Sequence, residues 1–237
     1  MRTVRSTGPT ASQPDMAEDN ESRHTPGGRK AKALATYLID LSPDDMKRRL
    51  PEALRVYVDA MRYPRGTEEQ RAALWLEHTR RAGWKCVAAV EAPDPDPAAG
   101  PGRHPDNATL LDAPLLGIAY GYSGAPDQWW QQQVISGLQR MGTNPDHIAG
   151  LMASYFELTE LHIEPRAQGQ GLGEALTRRL LAGRGESHVL LSTPEINAEA
   201  NRAWRLYRRL GFTDVIRGYH FAGDPRPFAI LGRPLPL

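Results

Sequence analysis

The stretch IEPRAQGQGLGEALTRRLL, Ile163 to Leu181, closes a strand-like run at Pro165, sets glycines at 169, 171 and 173, and passes straight into a helical pattern. Glycine lacks Cβ, so the backbone there can take unusual dihedral angles and a bulky ligand can come close to its N–H groups. The first N–H groups of the following helix have no internal partner, and the helix dipole adds roughly half a positive charge at that end. Such a turn is a seat for an anion, best suited to phosphate. A glycine-rich turn with no ligand is the competing reading. Two nucleotide motifs fail in register: G-x-G-x-x-G needs glycine where Glu174 stands, and no Gly-Lys-Ser/Thr follows to make a Walker loop.

Outward from this turn, the chain of 237 residues has room for one ordinary domain with a sizeable core. Residues 1–30 are rich in Pro, Gly, Ser and Thr and almost free of apolar side chains, so a disordered tail is expected, followed by a single domain over 31–237. ALATYLID reads as a strand, Ser42 as a helix cap, LPEALRVYVDAMRY and TEEQRAALWLEHTRRAG as helical, and WKCVAAVEA as a buried strand. Five prolines between Pro93 and Pro105 predict a long surface loop. PLLGIAYGYSG follows as a strand, PDQWWQQQVISGLQRMG as one inserted helix, and SYFELTELHIEP as the strand before the glycines. Beyond them come helix GEALTRRLLAG, strand HVLLST, helix EANRAWRLYRRLGF and two closing strands. Strands and helices with both hairpin and crossover connections predict an α/β (α+β) sheet domain.

Lys and Arg number 29 against 28 Asp and Glu, with no long basic run, which disfavours nucleic acid or an anionic membrane as partner. The lone Cys86, inside an apolar run, excludes an internal disulfide framework and a cysteine-rich zinc site. No apolar window is long enough for a membrane helix and no secretory pattern opens the chain, so a cytoplasmic protein is expected, with no metal.

Gln168-x-x-Gly171-x-Gly173 after a strand, with Arg166 just upstream, resembles motif A of the GNAT superfamily of N-acetyltransferases. A second stretch, EANRAWRLYRRLGF, resembles that family's other signature through Asn201, Ala203, Leu206, Tyr207 and Leu210-Gly211-Phe212. The family asparagine stands one residue farther from the tyrosine, at the place of Ala200. The resemblance implies the GNAT fold, a mixed and mostly antiparallel sheet flanked by helices. It also implies acetyl-CoA as cosubstrate and direct transfer to an amine on a small molecule or peptide, and it allows a homodimer. Coenzyme contacts carried over are Leu161, His162 and Ile163, chiefly through backbone, then Arg166, Gln168, Gly169, Gln170, Gly171, Leu172, Gly173, Glu174 and Asn201. A non-catalytic acyl-CoA sensor on the same fold is the alternative.

Acetyl transfer to an alkylamine of pKa ~10 requires a base near neutral pH. Glu157 and Glu160 are the candidates; Glu157 falls where several family members carry a catalytic glutamate. Strand alternation sends the two to opposite faces unless a bulge intervenes. Tyr207 resembles the family tyrosine that protonates the coenzyme sulfur, and it also fits a core position on the apolar helix face. Trp129-Trp130 are expected to pack under the inserted helix, and Asp94 and Asp96 to be solvated.

Overall fold

The computed structural model describes residues 33–94, 105–195 and 201–237; the expected tail, Asp96, Ala200 and most of the proline-rich loop lie outside them. Seven strands form one sheet, ordered β1-β2-β3-β4-β5-β7-β6. In chain order they are β1 (Leu34–Leu41), β2 (Lys85–Pro93), β3 (Leu115–Ser123), β4 (Tyr155–Ile163), β5 (His188–Pro194), β6 (Thr213–Tyr219) and β7 (Phe228–Pro234). All neighbours pair antiparallel except β4 with β5, which run parallel. The expected mixed, mostly antiparallel α/β sheet is what forms.

Helix α1 (Pro43–Met61) opens on a capping box: Ser42 Oγ accepts from Asp45 N at 3.1 Å and Asp45 Oδ2 accepts from Ser42 N at 3.1 Å. It runs unbroken through Pro51, which removes one helical hydrogen bond at a cost of about 3 kcal/mol. Leu50, Leu54, Tyr57 and Val58 are buried on the same helix, and each fully buried apolar side chain contributes about 1.5–3 kcal/mol, so packing outweighs the proline. After α2 (Thr67–His78), the expected two-helix sequence is complete.

Two elements depart from expectation. The proline-rich segment ends in a short helix, α3 (Asn107–Asp112), because Asp106 caps it by accepting from Thr109 N at 2.7 Å. The insertion before β4 holds two helices, α4 (Trp129–Arg140) and α5 (Pro145–Ala153); Asn144 as cap and Pro145 in the first turn were the signals passed over.

Alternation along β4 sorts the core. Phe156, Leu158, Leu161 and Ile163 join the cluster under α6 (Leu172–Leu181) and α7 (Arg202–Arg209). Tyr155 faces the cluster of α4 and α5 on the opposite side, and α1 and α2 cover the remainder of that side through Trp75, Tyr120 and Tyr122. Cys86 is buried within this packing. Among the described residues no helix is long and apolar enough to cross a membrane.

Buried Arg49 fastens α1 to the α3–β3 junction. It donates to Leu111 O at 2.9 Å and Ala113 O at 2.6 Å and pairs with Glu52, whose other oxygen accepts from Leu115 N at 2.8 Å. Arg49→Met is expected to cost about 3–5 kcal/mol, because two carbonyls and Glu52 lose their partner at once; chemical denaturation measures it.

Candidate active site

Strand β4 has nine residues, yet only Tyr155, Phe156 and Glu157 pair with β5. Past Glu157 the two parallel strands separate, leaving this edge of β4 open. The gap becomes a cleft of about 860 Å³. Leu161 and Ile163 line it from β4, the glycine turn from one end, and Asn201, Leu206 and Tyr207 from α7.

The turn is shaped by two left-handed residues, Gly169 at φ 84° and Gly171 at φ 82°. A Cβ at either would meet nothing within 4 Å, so it is backbone conformation, not crowding, that calls for glycine here. Gly173 differs: a Cβ there would sit 3.1 Å from Leu206 Cδ2, so its absence lets α6 and α7 approach. Gln168 braces the loop, donating from Nε2 to Ile163 O at 3.0 Å and accepting from Arg202 Nη1 at 3.0 Å. Ala175 N donates to Gly171 O at 3.1 Å, so the helical ladder starts only there and the N–H groups of Leu172, Gly173 and Glu174 belong to the unpaired first turn. That turn faces the cleft.

Charge supports the same use. Arg62, Arg202, Arg205 and Arg209 line the cleft against a single carboxylate, Glu174. Glu174 is bonded to Arg178 and Arg209, each 2.9 Å away, and hydrogen bonds from these two hold its carboxyl below the ordinary range. Arg62 ends α1 at φ 55°, an uncommon conformation for a residue with a side chain. The sequence analysis did not name these arginines as site residues; those of α7 lie on the helix face opposite its apolar stripe and line the cleft from there. Arg202, Arg205 and Arg209 stand at spacing i, i+3, i+7, one stripe of that face.

Some expected contacts lie elsewhere. Arg166 points back across the sheet to Glu91, at 3.3 Å, and is not on the cleft wall; nor is Gln170. The His162 side chain turns to the opposite face, its ring 4.9 Å from that of Tyr57 and stacked 6.4 Å from Trp75. Only its backbone stays on the open edge. Asn201 caps α7, accepting from Ala203 N at 2.8 Å, while lining the cleft.

The two glutamates do not take opposite faces. Tyr120 pairs with Glu160 and Gly121 with Leu158, which leaves Thr159 as a bulge. Glu157 and Glu160 therefore share the face of Tyr122 and Tyr120. Glu157 is 4% exposed, and its Oε2 has no hydrogen-bond partner among the described residues. Burial pushes its carboxyl up to about 8, against the opposing pull of Arg81 and a hydrogen bond with Tyr122. Arg81 itself lies over the Tyr122 ring, 4.5 Å from its centre. Glu160 Oε2 lies 2.5 Å from His162 Nε2. Tyr207 is buried at the cleft's inner wall; burial raises its phenol above the ordinary value and the charge of Glu160 acts in the same direction, so the hydroxyl keeps its proton at neutral pH. Such a group donates.

The remaining candidates are structural. Trp130 is buried, donates from Nε1 to Ser192 Oγ at 3.3 Å and packs at a tilt against Tyr155, whereas Trp129 is half exposed against Phe221. Asp94 accepts from Tyr37 at 3.4 Å. His78 contacts Tyr120 at 3.0 Å, and burial followed by Arg81 brings its pKa down to about 4.

Residues 128–214 match the family described as acetyltransferase (GNAT) domain. The chain is 71% identical over 206 residues, 86% of its length and the whole of the relative, to the GCN5-like protein acetyltransferase Rv2170 of Mycobacterium tuberculosis (strain ATCC 25618 / H37Rv). Among solved structures it resembles Arabidopsis thaliana NAA60 in complex with acetyl-CoA, with TM-score 0.51, 16% identity, and coverage of 85% of this chain and 99% of that one. It also resembles yncA of Salmonella typhimurium with its cofactor acetyl-CoA, with TM-score 0.51, 14% identity, and coverage of 86% and 95%. At these identities the two structures speak for the fold alone.

Proposed function

The chain belongs to the GNAT family of acetyltransferases, and from that premise we propose an acetyl-CoA-dependent N-acetyltransferase that passes the acetyl group directly to a primary amine. The observation that carries this reading is the open edge of β4 ending in a left-handed glycine turn, with four arginines around one cleft. That cleft suits a long ligand with a polyanionic end. The amides from Gly169 to Gly173 take the diphosphate, the arginines neutralise its charge, and the backbone of Leu161, His162 and Ile163 meets the pantetheine arm along the free edge.

Acetyl-CoA supplies an activated thioester; the protein supplies proton traffic and position. Glu157 accepts a proton from the incoming ammonium, directly or through water, and the freed nitrogen forms its bond to the acetyl carbon as the carbon–sulfur bond breaks. A carboxyl at about 8 is well matched to this task, since a base works best with a pKa near the working pH. Tyr207 gives its hydroxyl proton towards the departing sulfur, and the second proton that the nitrogen sheds on becoming an amide restores that hydroxyl through water. Glu160, held by His162, lies on the same face and shapes the field around both groups. Buried Cys86 is out of reach of the cleft and serves as core, in keeping with a reducing cytoplasm.

Tyr207→Phe is expected to lower kcat about tenfold while leaving acetyl-CoA affinity nearly unchanged, because a thiol of pKa ~8.5 leaves fairly well unaided. Steady-state kinetics beside calorimetry separates the two. The assignment as a whole rests on an amine panel coupled to thiol release, with a thermal shift on acetyl-CoA reporting binding. Binding without turnover of any amine would favour the sensor; no binding would remove both.

A further inference from the structure

A second cleft, of about 360 Å³, opens between the end of α1, α2 and the loop that joins β6 to β7. Tyr57 forms its inner wall, and the same ring touches His162, which is bonded to Glu160. The outer walls are Tyr63 and Leu74, with Arg71 from α2 and Arg226 from the loop between β6 and β7. The lining thus holds two guanidinium groups and no carboxylate.

The two arginines differ in what they have left to offer. Arg226 is bonded to Asp224 through Nε at 2.9 Å and Nη2 at 2.6 Å, so its charge is already matched. Arg71 has no ion pair among the described residues; its guanidinium lies 5.9 Å from the centre of the Tyr57 ring, on the cleft wall. The nearby Asp224 feels Arg71 only at a distance and is committed to Arg226. A partly buried cation without a counter-ion, between tyrosines, is a receptor for an anionic group.

We propose that this cleft receives the acceptor and selects an amine that also bears a carboxylate, bound by Arg71 while the amine passes Tyr57 towards Glu160 and Glu157. The inference rests on the transferase reading above. The carboxylate can come from a small amino acid or from an acidic residue of a peptide, and the chemistry at Arg71 is the same for both.

The test compares matched acceptors: γ-aminobutyrate against its amide, and lysine tetrapeptides with glutamate against glutamine beside the lysine. The carboxylate member of at least one pair should show kcat/KM about tenfold higher, and the pair that does so tells small molecule from peptide. In Arg71→Gln that ratio should fall towards one, and in Arg71→Glu it should drop below one. Equal rates within both pairs, or a ratio that survives Arg71→Gln, overturn the proposal. If no amine turns over, the transferase reading has failed separately, and glutarate becomes the probe. A thermal shift with glutarate that Arg71→Gln abolishes then upholds the anion site, and no shift overturns it.

Discussion

Glu157→Gln is expected to lower kcat/KM by about 10²–10⁴ and to lack the rise of activity expected of the native protein as pH climbs through about 8. The substitution keeps size and shape and removes only the ability to take a proton. Its effect on stability has the opposite sign. The carboxyl ionises near 4.5 in the unfolded chain and near 8 in the fold, so the native state binds the extra proton between those values. Stability is therefore greatest below 4.5, declines as pH rises towards 8, and is level beyond. Glutamine escapes that penalty, so the variant should gain on the order of 3 kcal/mol over the native protein at pH 9, a gain that vanishes below pH 5. Denaturation at the two pH values, beside a pH–rate profile, checks both halves. A variant with full activity and an unaltered alkaline limb would strike Glu157 from the mechanism.

The second large effect is at the turn. Gly171→Glu should weaken acetyl-CoA binding by about 100-fold or more, since it places a carboxylate in a phosphate seat as well as a side chain at φ 82°. The backbone cost alone is about 1–2 kcal/mol. Gly171→Ala carries that cost without the charge. Gly142, at φ 74° in the turn between α4 and α5, serves as a remote control: Gly142→Ala should lower stability similarly and leave affinity alone. Calorimetry on the three variants separates strain from charge, and equal affinity in Gly171→Glu would refute the seat.

Much of this site was readable before any coordinates. Glycine at 169 and 171, the strand before and the helix after are local features, and the conformation they impose is local too. The fit of Tyr207 to the apolar face of α7 was equally plain, as was the Leu210-Gly211-Phe212 exit, where Gly211 takes φ 81°. The arginines were visible as residues but not as a wall, because a helix with an apolar face leaves its other face undetermined between solvent and cleft. Arg166 went astray for a related reason: adjacency to the glycines in sequence says nothing of Glu91, seventy-five positions away.

The amino-acid sequence by itself determined most of the elements, the cap at Ser42, the left-handed glycine turn and the family, since helix period, strand alternation and the need for positive φ are all set by residues a few positions apart. Tertiary structure alone decided the chemistry's geometry. The bulge at Thr159 exists only against the ladder of β3, and it turns Glu157 and Glu160 to one face. The opening past Glu157 exists only where β5 departs, and Arg71 meets Arg226 only through the packing of α2 beside a distant loop. Each is a contact between segments far apart in the chain, where burial and partner strands, not local preference, set the free energy.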